Sequence, residues 1–264
     1  MRRRTHPPLW RRVLRAAGRR LFRLAENNDD PRLAHNGERW LLRELLAAHA
    51  RSGAGRSFVA FDAGANVGGY TREVLRAARA TGCAVEVHVF EPSPRCLAAL
   101  RAAFANEPAV RVVAGAVAAA GGEAVLHDGG LGSSLASLVP RGVLSGDAAA
   151  GVRVPLLALG DYLVAHAIGR VDLLKLDVEG SELAALRGLG DRLHPGIVGA
   201  IQFEYGGAAL DARTTLRDAY DLLAARGYAV AKLFPRALEV RPYAPWMEHY
   251  AYANYVALPP APPP

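Results

Sequence analysis

Hydrophobic and polar positions follow two rhythms along this chain. Short, continuous apolar runs occupy residues 58–61, 85–90, 110–113, 171–176 and 197–203, the pattern of strands buried on both faces. Apolar positions at helical spacing predict helices over 38–50, 70–80, 94–106, 181–189 and 212–226. Their alternation predicts an α/β fold of Rossmann-like type, a mostly parallel sheet with helices on both sides. Two regions depart from the rhythm. Residues 115–160 are rich in Gly, Ala and Ser, and strand-like pieces at 124–127 and 152–157 predict an antiparallel insertion between the third and fourth core strands. Near the end, 228–234 and 251–258 predict a C-terminal antiparallel hairpin, joined by a loop holding Pro235, Pro242, Pro245 and Trp246. Five parallel strands and this hairpin make seven. Residues 259–264 are almost all proline and read as a disordered tail. Nothing repeats internally. The organisation expected is an Arg-rich helical extension over 1–35 and one domain over 36–258.

Charge changes this picture at one end. The chain of 264 residues carries a net +7, yet residues 1–24 hold nine arginines and no acid. The remainder has 23 basic and 25 acidic side chains, a net of −2. Such a body lacks the basic groove a phosphate backbone needs, so nucleic acid is disfavoured as a partner. Within the arginines, Trp10, Val13, Leu14, Ala17, Leu21 and Leu24 recur at helical spacing. Two readings stay open: peripheral contact of residues 1–24 with an anionic membrane, or a leading helix packed on the domain with its arginines solvated. No run of 18 apolar residues exists to span a bilayer, and the start lacks the apolar core of a signal peptide. Two cysteines, Cys83 and Cys96, are too few for a disulfide framework and fit the reduced cytoplasm.

The strongest local chemistry begins where the first strand ends, in Phe61-Asp62-Ala63-Gly64-Ala65-Asn66-Val67-Gly68. Glycines let the backbone approach a ligand closely, and the following helix offers free N–H groups. A pyrophosphate cradle wants G-x-G-x-x-G without an acid at its mouth. Asp62 would repel a pyrophosphate but suits the ammonium of a methionine moiety. Glu91 closes the second strand, where a carboxylate can accept hydrogen bonds from both ribose hydroxyls. The pair points to S-adenosylmethionine rather than a dinucleotide.

A second constellation lies at the ends of the fourth and fifth strands. Lys175, Asp177 and Glu179 alternate through Val171-Asp-Leu-Leu-Lys-Leu-Asp-Val-Glu-Gly-Ser-Glu182, and Glu204 ends the next strand. Charges of this density in a buried strand are costly unless paired or used. The structural alternative pairs Lys175 with Glu179 and leaves Asp177 and Glu182 to charge a helix start. The functional reading has Asp177 and Glu204 border the methyl donor, where they accept the proton of a hydroxyl nucleophile or hold a divalent cation, with Lys175 as a supporting charge. His88, His127 and His249 have no zinc-site spacing.

With these blocks in order, the sequence resembles the FkbM family of methyltransferases. The likeness is carried by Phe61-Asp-Ala-Gly-Ala-Asn-Val-Gly68, Val89-Phe-Glu-Pro92, Gly132-Ser-Ser-Leu135 and Asp172-Leu-Leu-Lys-Leu-Asp-Val-Glu-Gly-Ser-Glu182. It implies O-methylation of hydroxyls on natural products, sugars or glycolipids. It also implies cofactor contacts from Asp62, Gly64, Asn66, Gly68 and Glu91, with Ala116-Val117 on the adenine side. Residues 115–122 offer no side chain to grip adenine, so backbone groups would do so. The expected activity is S-adenosylmethionine-dependent methylation of a small-molecule or glycan hydroxyl. The rivals are a nicotinamide-dependent oxidoreductase and a cofactor-binding module without catalysis.

Overall fold

The computed structural model describes residues 7–28, 30–127, 137–138 and 151–260. The chain opens with helices α1 (Leu9–Ala25) and α2 (Glu38–Ser52). The first core units are β1 (Phe58–Ala63), α3 (Gly69–Thr81), β2 (Val85–Glu91), α4 (Pro94–Ala103) and β3 (Val110–Ala114). Three strands then leave the main sheet, β4 (Ala116–Ala118), β5 (Gly122–Leu126) and β6 (Val152–Ala158). After α5 (Leu159–Ala165) the chain returns as β7 (Val171–Leu176), α6 (Glu182–Arg187) and β8 (Val198–Tyr205). It closes with α7 (Gly207–Asp211), α8 (Leu216–Ala225), β9 (Ala229–Phe234), β10 (Ala237–Val240) and β11 (Ala253–Leu258).

The main sheet runs β10-β9-β11-β8-β7-β1-β2-β3. Strands β3, β2, β1, β7 and β8 are mutually parallel, and β11 inserts antiparallel between β8 and β9. The sheet therefore has eight strands, not the expected seven. The extra strand is β10, which folds back on β9 from Ala237 opposite Phe234. Pro235 and Pro242 on either side disguise it as a loop, but an edge strand needs one partner only, and Leu238 packs with Leu41 and Leu233. Residues 115–160 do form the expected antiparallel pair, β5 on β6, and β4 adds a parallel third strand to this small sheet. The helix expected over 212–226 begins later, as α8 at Leu216, and the short α7 lies wholly ahead of that span. Arg213 turns into the left-handed region, and Thr215 restarts the helix through a capping box with Asp218.

Alternation along each central strand sends successive side chains to opposite layers. Phe61, Leu174, Leu176, Ile201 and Phe203 face the layer that holds Leu163, Leu186 and Leu223. Phe58, Ala60, Leu173 and Ala200 face the other, against Leu42 and Leu46 of α2 and Val74 and Ala78 of α3. Leu46 and Val74 are fully buried, each worth about 1.5–3 kcal/mol relative to exposure. The same alternation puts Asp62, Lys175 and Gln202 side by side on the α2/α3 face, since Asp62 pairs with Lys175 and Lys175 with Gln202 in register.

Ahead of the domain, the segment after α1 is stitched to the sheet. Asn27 Nδ2 donates to the carbonyl of Leu233, Lys232 Nζ to Asn28 Oδ1 at 2.8 Å, and Arg241 pairs with Glu26 at 2.9 Å. Helix α1 itself buries none of its residues. The motif Gly132–Leu135, Arg2–Arg4 and most of the proline tail lie outside the described residues.

Candidate active site

At the carboxyl end of β1 the chain reverses at Gly64, with φ of 82°. A Cβ there would sit 1.8 Å from the carbonyl oxygen of Asp177, so only glycine fits. The contact joins the β1 turn to the β7 turn, and Asp177 N donates to Ala63 O at 3.0 Å. Gly64 N donates to Phe90 O, binding the β2 end as well. Asn66 follows in the left-handed region, and its backbone N–H donates to Glu91 Oε2 at 2.8 Å. Glu91 Oε1 accepts from Ser93 N at 2.8 Å. Two backbone amides thus aim one carboxylate.

These turns wall a cleft of about 690 Å³, lined by Gly64, Asn66, Glu91, Ala116, Asp177 and Glu179 among others. A second cleft of about 900 Å³ adjoins it and shares Gly64, Asn66, Asp177 and Glu179. Its own walls include Glu38, Tyr70, Lys175, Glu204 and Tyr252.

Lys175 is buried beneath the second cleft, 2.8 Å from Asp177 Oδ2 and 4.9 Å from the centre of the Tyr70 ring. Burial would push its pKa down, but Asp177, then Asp62 and Glu38, overcome that and hold it well above the ordinary lysine value. Lys175 is therefore a fixed cation paired with Asp177, not with Glu179. Glu204 behaves differently. Burial first, then the charges of Asp177, Glu179 and Glu182, push its pKa up to about 10, with Lys175 opposing. Glu182 stands in the first turn of α6, as the structural reading expected, and also accepts from Val178 N and Gly180 N at 3.0 Å, so it shapes the Asp177 turn. Burial pushes it up to about 7, against those amide hydrogen bonds.

Glu91 and Ala116 line the first cleft, Lys175 and Glu204 the second, and Gly64, Asn66 and Asp177 both. Asp62 and Gly68 line neither. Expected at the mouth, Asp62 is 1% exposed behind the glycine turn, because its place in the strand alternation points it at α3. There Oδ2 accepts from Thr71 Oγ1 at 2.6 Å, while Oδ1 has no hydrogen-bond partner among the described residues. Gly68 starts α3, and its missing side chain makes room for the Phe104 ring.

Sequence reasoning missed the polar layer under α2. Asn36 Nδ2 donates to Glu38 Oε2 at 2.6 Å and to Tyr252 Oη at 3.0 Å, Gln202 Nε2 donates to Glu38 Oε1, and Tyr70 Oη donates to Gln202 Oε1. Gln202 carried a readable signal, an amide inside an apolar strand. Glu38 carried none, since an acid at a helix start reads as a dipole partner.

The cradle suits S-adenosylmethionine on two counts. Glu91, held by the Asn66 and Ser93 amides at the cleft wall, is a carboxylate to which ribose hydroxyls can donate. Phe90, Val117 and Leu126 give apolar walls that suit adenine. Among the described residues, no group of three His, Cys, Asp or Glu side chains is placed to hold a metal ion.

A mostly parallel sheet with its turns gathered at the carboxyl edge, and β11 and β10 antiparallel to the rest, belongs to the Rossmann-like class of α/β folds, which bind ligands at that edge. Within that class the chain belongs to the methyltransferase FkbM domain family, which matches residues 62–230. No curated protein matches it. Among solved structures it is similar to an FkbM methyltransferase from Methylobacillus flagellatus KT, at 17% identity and a TM-score of 0.47, over 78% of this chain and 46% of that one. The chain thus spans about half the length of that relative. It is also similar to an O-methyltransferase from Bacillus cereus in complex with SAH, at 12% identity and 0.45, over 96% and 91%. A third likeness is to fibrillarin from Aeropyrum pernix with natively bound S-adenosyl-L-methionine, at 13% and 0.41, over 83% and 76%. Identities this low carry no residue role across.

Proposed function

We propose that the chain methylates a hydroxyl of a neutral sugar or similarly polyhydroxylated natural product. The observation that carries this is the pair Asp177 and Glu204 in a cleft that shares a wall with the cofactor cradle. With Glu38 and Glu179 the second cleft presents four carboxyl groups, that of Glu204 protonated at neutral pH, against one lysine. Carboxylates accept hydrogen bonds from hydroxyls and repel phosphates or other carboxylates. That polarity, with the acidic balance outside residues 1–24, also disfavours nucleic acid. Cys83 and Cys96 are unpaired, which suits a reducing, cytoplasmic compartment.

S-adenosylmethionine, when bound, supplies a methyl group on a positively charged sulfur, an electrophile that needs alignment and little else. Asp177, locked by Lys175, orients the acceptor hydroxyl. Glu204 takes its proton as the O–CH3 bond forms and the S–CH3 bond breaks. The raised pKa makes Glu204, once ionised, a stronger base than an ordinary carboxylate. Turnover therefore rises with pH.

The test pairs calorimetry with labelling. Asp177→Asn should bind S-adenosylhomocysteine within about twofold of wild type yet lose about 100-fold or more in transfer of labelled methyl to neutral glycan and small-molecule extracts. Saturable NADH binding, or label appearing in RNA, refutes the reading.

A further inference from the structure

Helix α1 holds Leu9, Trp10, Val13, Leu14, Leu21 and Leu24 out in solvent, with exposures from 56% for Val13 to 71% for Leu9. At 100° per residue these side chains share an arc of about 140°. Arg11, Arg12, Arg15, Arg19 and Arg23 occupy the rest of the helix, with Arg20 at the edge of the stripe. The helix contains no acid, and Arg11, Arg12, Arg15, Arg19 and Arg20 pair with none among the described residues.

The packing expected for a leading helix is not what is built. Its ring contacts with the domain come from Phe22, which lies on the other side of the helix from the stripe. Phe22 meets the Trp246 and His249 rings edge-on, at 6.2 and 5.3 Å. The helix is thus held by the wrong face for burying its leucines, and the stripe points away from that attachment.

We infer that α1 is a docking helix for an anionic lipid surface. Arginines around an apolar stripe with a tryptophan match what lies in a bilayer interface, the stripe among acyl chains and the cations at the headgroups. A second copy of the chain fits poorly, since stripe-to-stripe packing would bring together two helices with six arginines each and no acid. An RNA duplex would engage the arginines but leave the stripe in water. No described helix is long and apolar enough to cross a membrane, so the contact is peripheral. The arm also brings the catalytic cleft along. Pro31 lines both the hollow beside Arg23 and Leu24 and the cleft that holds Asp177 and Glu204, so docking keeps that cleft near the headgroups.

This inference is independent of the acceptor, and sedimentation of the full chain tests it. The probes are phosphatidylcholine vesicles with and without about 30% phosphatidylglycerol. Wild type should partition onto the anionic vesicles at least about thirtyfold more strongly than onto the neutral ones. Arg15→Gln with Arg19→Gln should lower that partition by about thirtyfold, roughly fivefold for each charge. Leu14→Glu with Leu21→Glu should abolish it while S-adenosylhomocysteine binding stays unchanged, which shows the fold intact. The proposal is overturned if wild type stays in the supernatant with both vesicles, or if the leucine variant sediments like wild type. It is equally overturned if the chain binds RNA but no vesicle, or if light scattering shows a dimer that the leucine variant dissolves.

Discussion

Glu204→Gln separates stability from catalysis at a single atom. In the folded protein burial and three neighbouring carboxylates push the Glu204 pKa from 4.5 up to about 10. The native state therefore holds a proton that the unfolded chain releases above about 4.5. Between those two values the unfolded state binds fewer protons, so stability falls as pH rises, by about 1.4 kcal/mol per pH unit. Going from pH 5.5 to 8.5 costs about 4 kcal/mol if the whole shift is retained. Glu204 borders an open cleft whose water screens its neighbours, which reduces the cost to about half, or ~2 kcal/mol. For a chain of this size that is about 4 °C in Tm. Glutamine has the shape of the protonated carboxyl and does not titrate. Thermal melts without cofactor should give equal Tm values for wild type and variant at pH 5.5, and a variant about 4 °C higher at pH 8.5. Methyl transfer by the variant should drop by about 100-fold or more. Parallel melting curves across this pH range would show that Glu204 is not the strained, protonated group described above, and its role as base would fall with it.

Two further outcomes bear on the cradle. Gly64→Ala puts a methyl group against the Asp177 carbonyl at a φ of 82°; it should cost about 3 kcal/mol or more and abolish S-adenosylhomocysteine binding by calorimetry, and a stable variant with wild-type affinity would refute the contact. Glu91→Ala removes the acceptor for the Asn66 and Ser93 amides and, on the proposed reading, for the ribose; S-adenosylhomocysteine should bind about 10–100-fold more weakly, at charged hydrogen-bond strength, and undiminished affinity would take Glu91 out of the cofactor site.

Short-range pattern determined most of the frame. Apolar runs such as residues 58–61 are buried strands wherever they fall, because no solvated face could carry them. The glycine turn, Glu91, Lys175, Asp177 and Glu204 were legible because strand ends at one sheet edge must converge, and polar groups in buried strands need partners. Edge strand β10 was hidden among prolines, since a strand with one partner needs no strong pattern of its own.

What only the tertiary structure decided is direction. Asp62 was readable as an acid at a strand end, yet which layer it entered depended on β1 sitting between β7 and β2 under α3. Lys175 chose Asp177 over Glu179 because the Asp177 turn is clasped by Gly64 and shaped by Glu182. Glu38 and Tyr252 lie far apart in sequence and are joined through Asn36, so no spacing could reveal them. The leading helix shows the division most plainly. Its amphipathic stripe is a local property of residues 9–24, fixed by the 3.6-residue turn. Whether that stripe is buried or bare depends on which side Phe22 fastens to the domain, and that is a fact of packing alone.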